Sequence, residues 1–228
     1  MQRLELGIAH GYPWAQEPGV TLYKPSWDAD SLPLRSSSGV GGDSFLVVGG
    51  SLAAGVWTWN EALGARPLIR WPGDGTRGAD YFQADGVDMA WIYKEGKAGV
   101  AVKGSFMTAP YSTDAATVAA TSRRLRSYPP DGYSSNIMDL AIGCGYTAHA
   151  ISSQVFPSNS LIVVRIADGV SWELKAGENQ RPAWTKALGF TCDELFALVS
   201  FGNGATSEGP HVVRIRLDSL GPGLPPDL

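Results

Sequence analysis

The sequence predicts an all-β domain built from short antiparallel strands, and three observations lead to this prediction. Charged residues make up only 18% of the 228 residues, below the ~25% that is usual for soluble domains. Glycine (28) and proline (15) are frequent, so turn formers recur along the whole chain. Between them lie short runs rich in Val, Ile and Trp, which are residues that favour strands.

A short pattern occurs four times and marks the start of a repeating unit. Its members begin at residues 38, 82, 142 and 190 and read SGVGGDSFLVV, FQADGVDMAWI, IGCGYTAHAIS and FTCDELFALVS. The third position is small and apolar, holding Val40, Ala84, Cys144 and Cys192. The fourth is a turn former, and the tenth is large and apolar. Each member therefore predicts a strand, a tight turn and a second strand.

Further strand-like runs follow each of these hairpins. Third strands are predicted at 55–59, 98–106, 160–166 and 211–217. Fourth strands are predicted in the first three units, at 65–71, 121–128 and 169–175. The stretch 114–124 is the only helix-prone piece, and it lies inside the second unit. The chain thus predicts about four antiparallel units of roughly 45–60 residues each.

Four-stranded units of this length resemble the blades of β-propeller repeat proteins of the TolB-like and WD40-like class. The resemblance covers about residues 38–217. The Asp-Gly turns at 74–75, 85–86 and 131–132 are similar to the turn of TolB-like blades, without most of its preceding serines and prolines. The resemblance implies sheets stacked around an axis, which buries both apolar faces of each sheet.

The last unit has three predicted strands, at 185–191, 194–201 and 211–217. The proline-rich tail 220–228 cannot extend their ladder well, so an outer strand is missing. We predict that residues 3–9 or 19–24 supply it by pairing with 211–217, which makes 1–37 a closing strap within one domain of 228 residues. The alternatives are a degenerate fifth blade in 1–37, or an open part of a larger propeller. An incomplete ring would favour self-association.

The two cysteines, Cys144 and Cys192, occupy the same position of successive units. Because Val40 and Ala84 fill this position elsewhere, we expect two structural thiols in small apolar sites. Equivalent points of neighbouring blades are expected to lie further apart than the ~7 Å between Cα atoms that a disulfide spans. A disulfide and a metal or redox pair are the alternatives, although no Cys-x-x-Cys or His-x-x-His spacing indicates zinc.

Acidic and amide residues concentrate in the loops that lead into the repeats. They are Asp74, Asp80, Asp131, Asn136, Asp139, Glu178 and Asn179. In a propeller these loops share one face around the channel, where the side chains could bind calcium, hold a polar ligand or act as acids and bases. The alternative is that they stabilise turns through bonds to the backbone. Trp71 and Trp184 flank the loops and could stack on a sugar or peptide, or pack between blades.

His149 stands at the eighth position of its repeat, where Phe45, Met89 and Ala197 stand in the others. This equivalence predicts a buried ring, and a catalytic base is the alternative. The chain contains no Gly-x-Ser-x-Gly nucleophile turn, phosphate-binding loop or dinucleotide fingerprint.

The net charge of −4 gives no electrostatic reason to expect nucleic-acid binding. The one basic cluster, Arg123, Arg124 and Arg126, is predicted to be a solvated strand edge. The first residues lack the apolar run of a signal peptide, and no apolar stretch is long enough to span a bilayer.

These observations favour a non-catalytic binding or scaffold module that recognises a protein, peptide or glycan on its loop-rich face, without a cofactor. The alternative is a carboxylate- or calcium-dependent hydrolase or lyase that acts in the central channel. Nothing in the sequence indicates a compartment.

Overall fold

The computed structural model describes residues 6–9, 12–15, 34–48, 55–70, 77–95, 103–127, 136–152, 160–175, 182–202 and 207–226. In these ranges the chain forms strands, one short α-helix and one 3₁₀ turn. The strands make four antiparallel sheets of three or four strands and one separate hairpin. The predicted all-β class is confirmed.

The strands follow one another in chain order within every sheet. The separate hairpin is β1 (Leu6–Ala9) and β2 (Tyr12–Ala15). The first sheet is β3 (Leu34–Val40), β4 (Asp43–Val48), β5 (Gly55–Asn60) and β6 (Gly64–Arg70). The second sheet is β7 (Arg77–Ala84), β8 (Asp88–Glu95), β9 (Lys103–Pro110) and β10 (Arg123–Ser127).

The last two sheets repeat this arrangement. The third sheet is β11 (Asn136–Gly143), β12 (Tyr146–Ser152), β13 (Ser160–Arg165) and β14 (Ser171–Lys175). The fourth sheet is β15 (Pro182–Phe190), β16 (Glu194–Gly202) and β17 (Ser207–Arg216). The four predicted hairpins and the three strands of the last unit are therefore confirmed.

The helix-prone stretch contains α1 (Ala115–Thr121), which lies between β9 and β10. Asp114 caps it, because its carboxylate accepts a hydrogen bond from Thr117 N at 2.7 Å. Val118 is the buried residue of the helix and joins the apolar cluster between the first and second sheets.

The first strands of successive sheets lie beside one another, with β7 next to β3, β11 next to β7 and β15 next to β11. Apolar clusters fill the space between neighbouring sheets. Successive residues of a strand point to opposite faces, so Trp91 packs towards the first sheet and Ile92 towards the third. In β13, Val163 packs in the same way towards the fourth sheet and Val164 towards the second. The second and third sheets are thus apolar on both faces.

One hydrogen bond at the rim joins the first and second sheets, and a second one, within the first sheet, holds its acceptor. Tyr111 Oη donates to Asp43 Oδ2 at 2.8 Å, and Asn60 Nδ2 donates to Asp43 Oδ1 at 2.8 Å. Burial, together with the hydrogen bond to the Asp43 carboxylate, raises the pKa of Tyr111 to about 12. The phenol therefore stays a donor at neutral pH.

Two arginines join the second and third sheets. Arg123 Nη2 donates to the backbone oxygen of Ile166, and Arg126 Nη1 donates to Ser171 Oγ at 2.7 Å. The prediction of a solvated strand edge is wrong for Arg126, which is half-buried, whereas Arg123 and Arg124 are exposed on the edge strand β10 as predicted.

The predicted closing strap is wrong in its described part. Residues 6–9 pair with 12–15, and among the described strands β17 pairs only with β16. Only two residues separate β1 from β2. Closing this local hairpin therefore costs much less chain entropy than pairing β1 with β17, which lies about 200 residues later in the chain. The alternative strand, 19–24, lies outside the described residues.

The C-terminal tail leaves the fourth sheet and crosses to the third. After the 3₁₀ turn Leu217–Ser219, Leu224 forms an isolated antiparallel bridge with Ser171 of β14. Trp172 Nε1 also donates to Gly221 O at 2.7 Å. The tail therefore covers part of an otherwise open sheet edge.

We predict that Gly143→Ala destabilises the contact between the third and fourth sheets. A Cβ at this position would lie 2.8 Å from Phe190 Cβ, so β11 or β15 must shift, and we expect the free energy of unfolding to fall by about 1–3 kcal/mol. Gly189→Ala is the matched control, because a Cβ there meets nothing within 4 Å. Chemical denaturation of both variants measures the difference; equal stabilities would contradict the close approach.

Candidate functional site

A disulfide joins Cys144 to Cys192 and so connects the third sheet to the fourth, with the two Cα atoms 5.1 Å apart. Cys144 lies in the turn between β11 and β12, and Cys192 in the turn between β15 and β16. Both residues are exposed. The prediction of two buried structural thiols is therefore wrong.

The Cα atoms of Cys144 and Cys192 lie closer together than expected because the first strands of neighbouring sheets approach closely. Leu188 N of β15 donates to Asp139 Oδ2 of β11 at 2.7 Å, and Gly143 packs directly on Phe190. The turns that follow these strands are thereby brought together. Their distance falls within the range that a disulfide spans.

Cys144 has a positive φ, a backbone conformation that cysteine rarely adopts. The turn has two central residues with positive φ, Cys144 at +50° and Gly145 at +80°. Such hairpin turns favour Asn, Asp or Gly, and the equivalent turn of the first sheet uses Gly41 and Gly42. Cys144 is the one non-glycine residue with positive φ in the part of the chain that the structure describes. Local turn chemistry therefore does not account for a cysteine here.

A cleft of about 560 Å³ lies beside the disulfide, between the third and fourth sheets. The third sheet supplies Tyr146 from the start of β12. The fourth sheet supplies the facing wall, which consists of Cys192, Asp193, Glu194, Arg214, Arg216, Leu217 and Asp218. We refer to these eight residues as the cleft.

Ion pairs order the charged groups of the cleft. Arg214 Nε donates to Glu194 Oε1 at 2.6 Å, and the Glu194 side chain is only 15% exposed whereas that of Arg214 is 65% exposed. A shielded carboxylate thus holds a guanidinium whose outer side faces solvent. Arg216 forms a second pair with Asp218, in which both side chains are exposed. Each of these pairs is close to neutral, so the cleft presents planar polar groups without a strong net charge.

Aromatic and cationic contacts surround Tyr146. The rings of Tyr146 and Trp172 are 6.4 Å apart and tilted by 43°, and the Arg165 guanidinium lies 5.6 Å from the Trp172 ring centroid. Arg165 also makes a bidentate pair with Asp168, in which Nε donates to Oδ1 and Nη2 to Oδ2, and this pair raises the pKa of the arginine and lowers that of the acid. Tyr146 therefore stands against an ordered support.

Asp139 is the only one of the predicted acidic and amide residues whose side chain is described. It is half-buried in β11, and burial raises the pKa of its carboxyl, opposed by hydrogen bonds from the backbone N–H groups of Leu188 and Leu140. Asp139 therefore connects two strands. The structure describes only the backbone of three other predicted residues, Asp80 in β7, Asn136 in β11 and Trp184 in β15.

The remaining predicted loop residues lie outside the described part of the chain: Asp74, Asp131, Glu178, Asn179 and Trp71. Their convergence on one face therefore stays a prediction. The cleft is at the other end of the first strands, because β11 and β15 begin after these loops and end at the disulfide.

His149 is completely buried, as its position in the repeat predicts. Its ring stacks on Phe106, with centroids 3.2 Å apart. Burial, and secondarily the charge of Arg126, hold the pKa of His149 well below its ordinary value of 6.5. The ring is thus a neutral core element at physiological pH and has no access to a substrate in solvent.

The described residues contain no group of three or more His, Cys, Asp or Glu side chains that could hold a metal ion. Within the same residues, no helix is long and apolar enough to cross a membrane. No protein-family model matches the chain, and a search of curated protein sequences finds no significant relative. The cleft must therefore be interpreted from its own chemistry.

The sequence carries one signal for the charged wall of the cleft. Arg214 and Arg216 are two residues apart in a strand, so they share one face. Of the acidic pair Asp193–Glu194, Asp193 ends the turn and Glu194 begins β16, where it lies opposite Arg216 of β17. Only the pairing of β16 with β17 brings these charges together, whereas Tyr146 arrives from another sheet.

We predict that the double variant Cys144→Asn/Cys192→Ser is less stable than the oxidised protein. The disulfide closes a sequence separation of 48 residues, and losing it should lower the free energy of unfolding by about 2–4 kcal/mol. Because asparagine suits the positive φ of the turn, the variant should be at least as stable as the reduced wild-type protein. Denaturant titrations of the three forms test this, and a variant as stable as the oxidised protein would contradict a stabilising disulfide.

We also predict that His149 makes the fold sensitive to acid. The unfolded chain takes up a proton at the ring near pH 6.5, whereas the folded protein does so only at lower pH. The free energy of unfolding should therefore fall as pH drops below about 6.5, by at most ~1.4 kcal/mol per pH unit from this group. His149→Leu should weaken this dependence between pH 7.5 and pH 5. Identical pH profiles for the two proteins would show that the ring does not contribute.

Proposed function

We propose that the chain is a non-catalytic binding module, built as a β-propeller-like array of about four blades, that holds a segment of protein, a peptide or a glycan. The observation that carries this proposal is the ordered polar cleft between the third and fourth sheets. It combines an aromatic ring, two paired guanidiniums and turn carboxylates on rigid hairpins.

The architecture supports the proposal. Sheets that are apolar on both faces and whose first strands lie side by side in chain order suit a propeller-like stack. In such a stack, the turns between the first and second strands of neighbouring sheets form a common rim. Binding sites on repeat arrays often use such adjacent loops.

The size and chemistry of the cleft favour a small polar segment of a ligand. A volume of about 560 Å³ lies within the ~300–1,000 Å³ range of ligand pockets. Tyr146 offers a flat apolar surface with a hydroxyl at its end, which suits a sugar ring or a peptide side chain. The outer side of Arg214 offers donors already oriented by Glu194, so little side-chain entropy is lost on binding.

The loop-rich face with Asp74, Asp131, Glu178 and Asn179 is a second proposed surface, at the opposite end of the first strands. The alternative function, a carboxylate- or calcium-dependent hydrolase or lyase, would use these loops. Nothing in the described residues favours it, because Asp139 is bonded to a neighbouring strand and His149 is buried in the core.

A glycan array and a displayed random-peptide library test the proposed function, with the oxidised protein as probe. We predict that a selected ligand binds at least about tenfold more weakly to Tyr146→Ala and to Arg214→Gln/Arg216→Gln, a loss of ~1.4 kcal/mol or more. Arg66→Gln, an exposed change on the first sheet, is the matched control and should stay within about twofold.

The competing assignments give different results in this experiment. Loss of binding in Asp74→Asn/Asp131→Asn, with full binding in the cleft variants, would move the site to the loop-rich face. No selected ligand in either screen, combined with turnover of a polysaccharide or ester that EDTA abolishes, would replace the binding module by the hydrolase.

A further inference from the structure

The disulfide joins the two walls of the cleft. Cys192 itself lines the cleft, and Tyr146, on the facing wall, follows Cys144 by two residues. Both cysteines are exposed at the tips of their hairpins, so a reductant can approach the bond without unfolding the protein.

Two other ties between the third and fourth sheets do not involve the cysteines. In the first strands, Leu188 N donates to Asp139 Oδ2 at 2.7 Å. On the outer side, Trp172 Nε1 of β14 donates to Gly221 O of the C-terminal tail at 2.7 Å. Because neither hydrogen bond involves a cysteine, we expect both to persist when the disulfide is broken. Reduction is therefore expected to separate two hairpin turns while the sheets stay joined.

The turn that carries Cys192 has few other anchors. Thr191 N donates to Glu194 O at 2.9 Å within the turn, and Leu217 N donates to Asp193 O at 2.9 Å from the end of β17. Both bonds lie within the fourth sheet, so neither of them fixes the turn to Tyr146, which instead packs against the apolar cluster that contains Leu195 and Leu217. The disulfide is the covalent link between this turn and the facing wall.

We propose that the Cys144–Cys192 disulfide is a redox-controlled clasp that sets the geometry of the cleft and thereby its affinity for ligand. The part of this proposal that concerns affinity rests on the proposed binding function. In the oxidised protein, Tyr146 and the pair Glu194–Arg214 are held at a fixed spacing. In the reduced protein, the turn 191–194 moves independently of Tyr146, and the cleft loses its preorganised form.

The chemistry is thiol–disulfide exchange with a dithiol reductant, either a small dithiol or an oxidoreductase with a paired-thiol site. One thiolate of the reductant attacks a sulfur of the clasp, the S–S bond breaks, and a mixed disulfide forms. The second thiol of the reductant then displaces the remaining protein sulfur. The protein gains two electrons and two protons as two thiols, and the reductant loses them by closing its own disulfide.

The unbound protein provides the first test, by amide hydrogen exchange of the oxidised and dithiothreitol-reduced forms. We predict that exchange becomes at least about tenfold faster in the turns 144–145 and 191–193, while the buried strands β12, β13 and β16 keep their protection. Cys144→Asn/Cys192→Ser should behave as the reduced form. Arg66→Gln, an exposed change on the first sheet that keeps the disulfide, is the control and should leave both turns unchanged.

Three outcomes of this experiment would overturn the clasp. They are unchanged exchange at both turns after reduction, a general loss of protection through the third and fourth sheets, and a bond that dithiothreitol cannot reduce under native conditions. None of these measurements needs a ligand.

The second test uses the peptide or glycan selected in the binding screen. We predict that reduction weakens its binding at least about tenfold and that reoxidation restores it. Equal affinity for both redox forms, with the turns released, would overturn redox control and leave the binding module intact. If the screens select nothing, the proposed function fails, and the exchange experiment alone decides whether the clasp exists.

Discussion

The fold depends on sheets that are apolar on both faces. In β8, Met89 and Trp91 pack towards the first sheet while Ala90 and Ile92 pack towards the third. A sheet of this kind loses much of its stabilisation if either face is left in water, because each large apolar side chain contributes about 1.5–3 kcal/mol on burial. The second and third sheets therefore require a neighbour on each side, and the array follows from this requirement.

Polar and covalent ties at the rims complete each junction of the array. Asp43 accepts a hydrogen bond from Tyr111 that joins the first sheet to the second, Arg126 joins the second to the third, and the disulfide joins the third to the fourth. Apolar packing is tolerant of small sliding movements, whereas directed bonds at the edge fix the register between sheets. The cleft lies at the junction that has the covalent tie, so its two walls are held more rigidly than packing alone provides.

The sequence predicts the local features of this fold well and the long-range ones poorly. The hairpins at 38, 82, 142 and 190 follow from alternation and turn residues within about a dozen positions, which is local information. The disulfide depends on how closely β11 and β15 approach, which follows from side chains such as Gly143 and its fit against Phe190. The cleft likewise requires Tyr146 to meet Arg214 across two sheets. For Arg126, charge suggested a solvated side chain, but the neighbouring sheet offers an oxygen acceptor within reach and the residue is half-buried.

The turn at Cys144 shows how a broken local rule can indicate function. The equivalent turn in the first sheet uses two glycines, and an asparagine would also adopt a positive φ readily. Cys144 adopts the same positive φ at a cost in backbone strain. A cysteine without a bond would be a poor choice at an exposed, left-handed position, because it adds strain and a reactive thiol. Stability alone does not require the bond to lie there, since Asp139 and the C-terminal tail already join the same two sheets. The bond differs from these ties in its position beside the cleft, where it governs the spacing of Tyr146 from the charged wall; that position is the reason to assign it a role in binding as well as in folding.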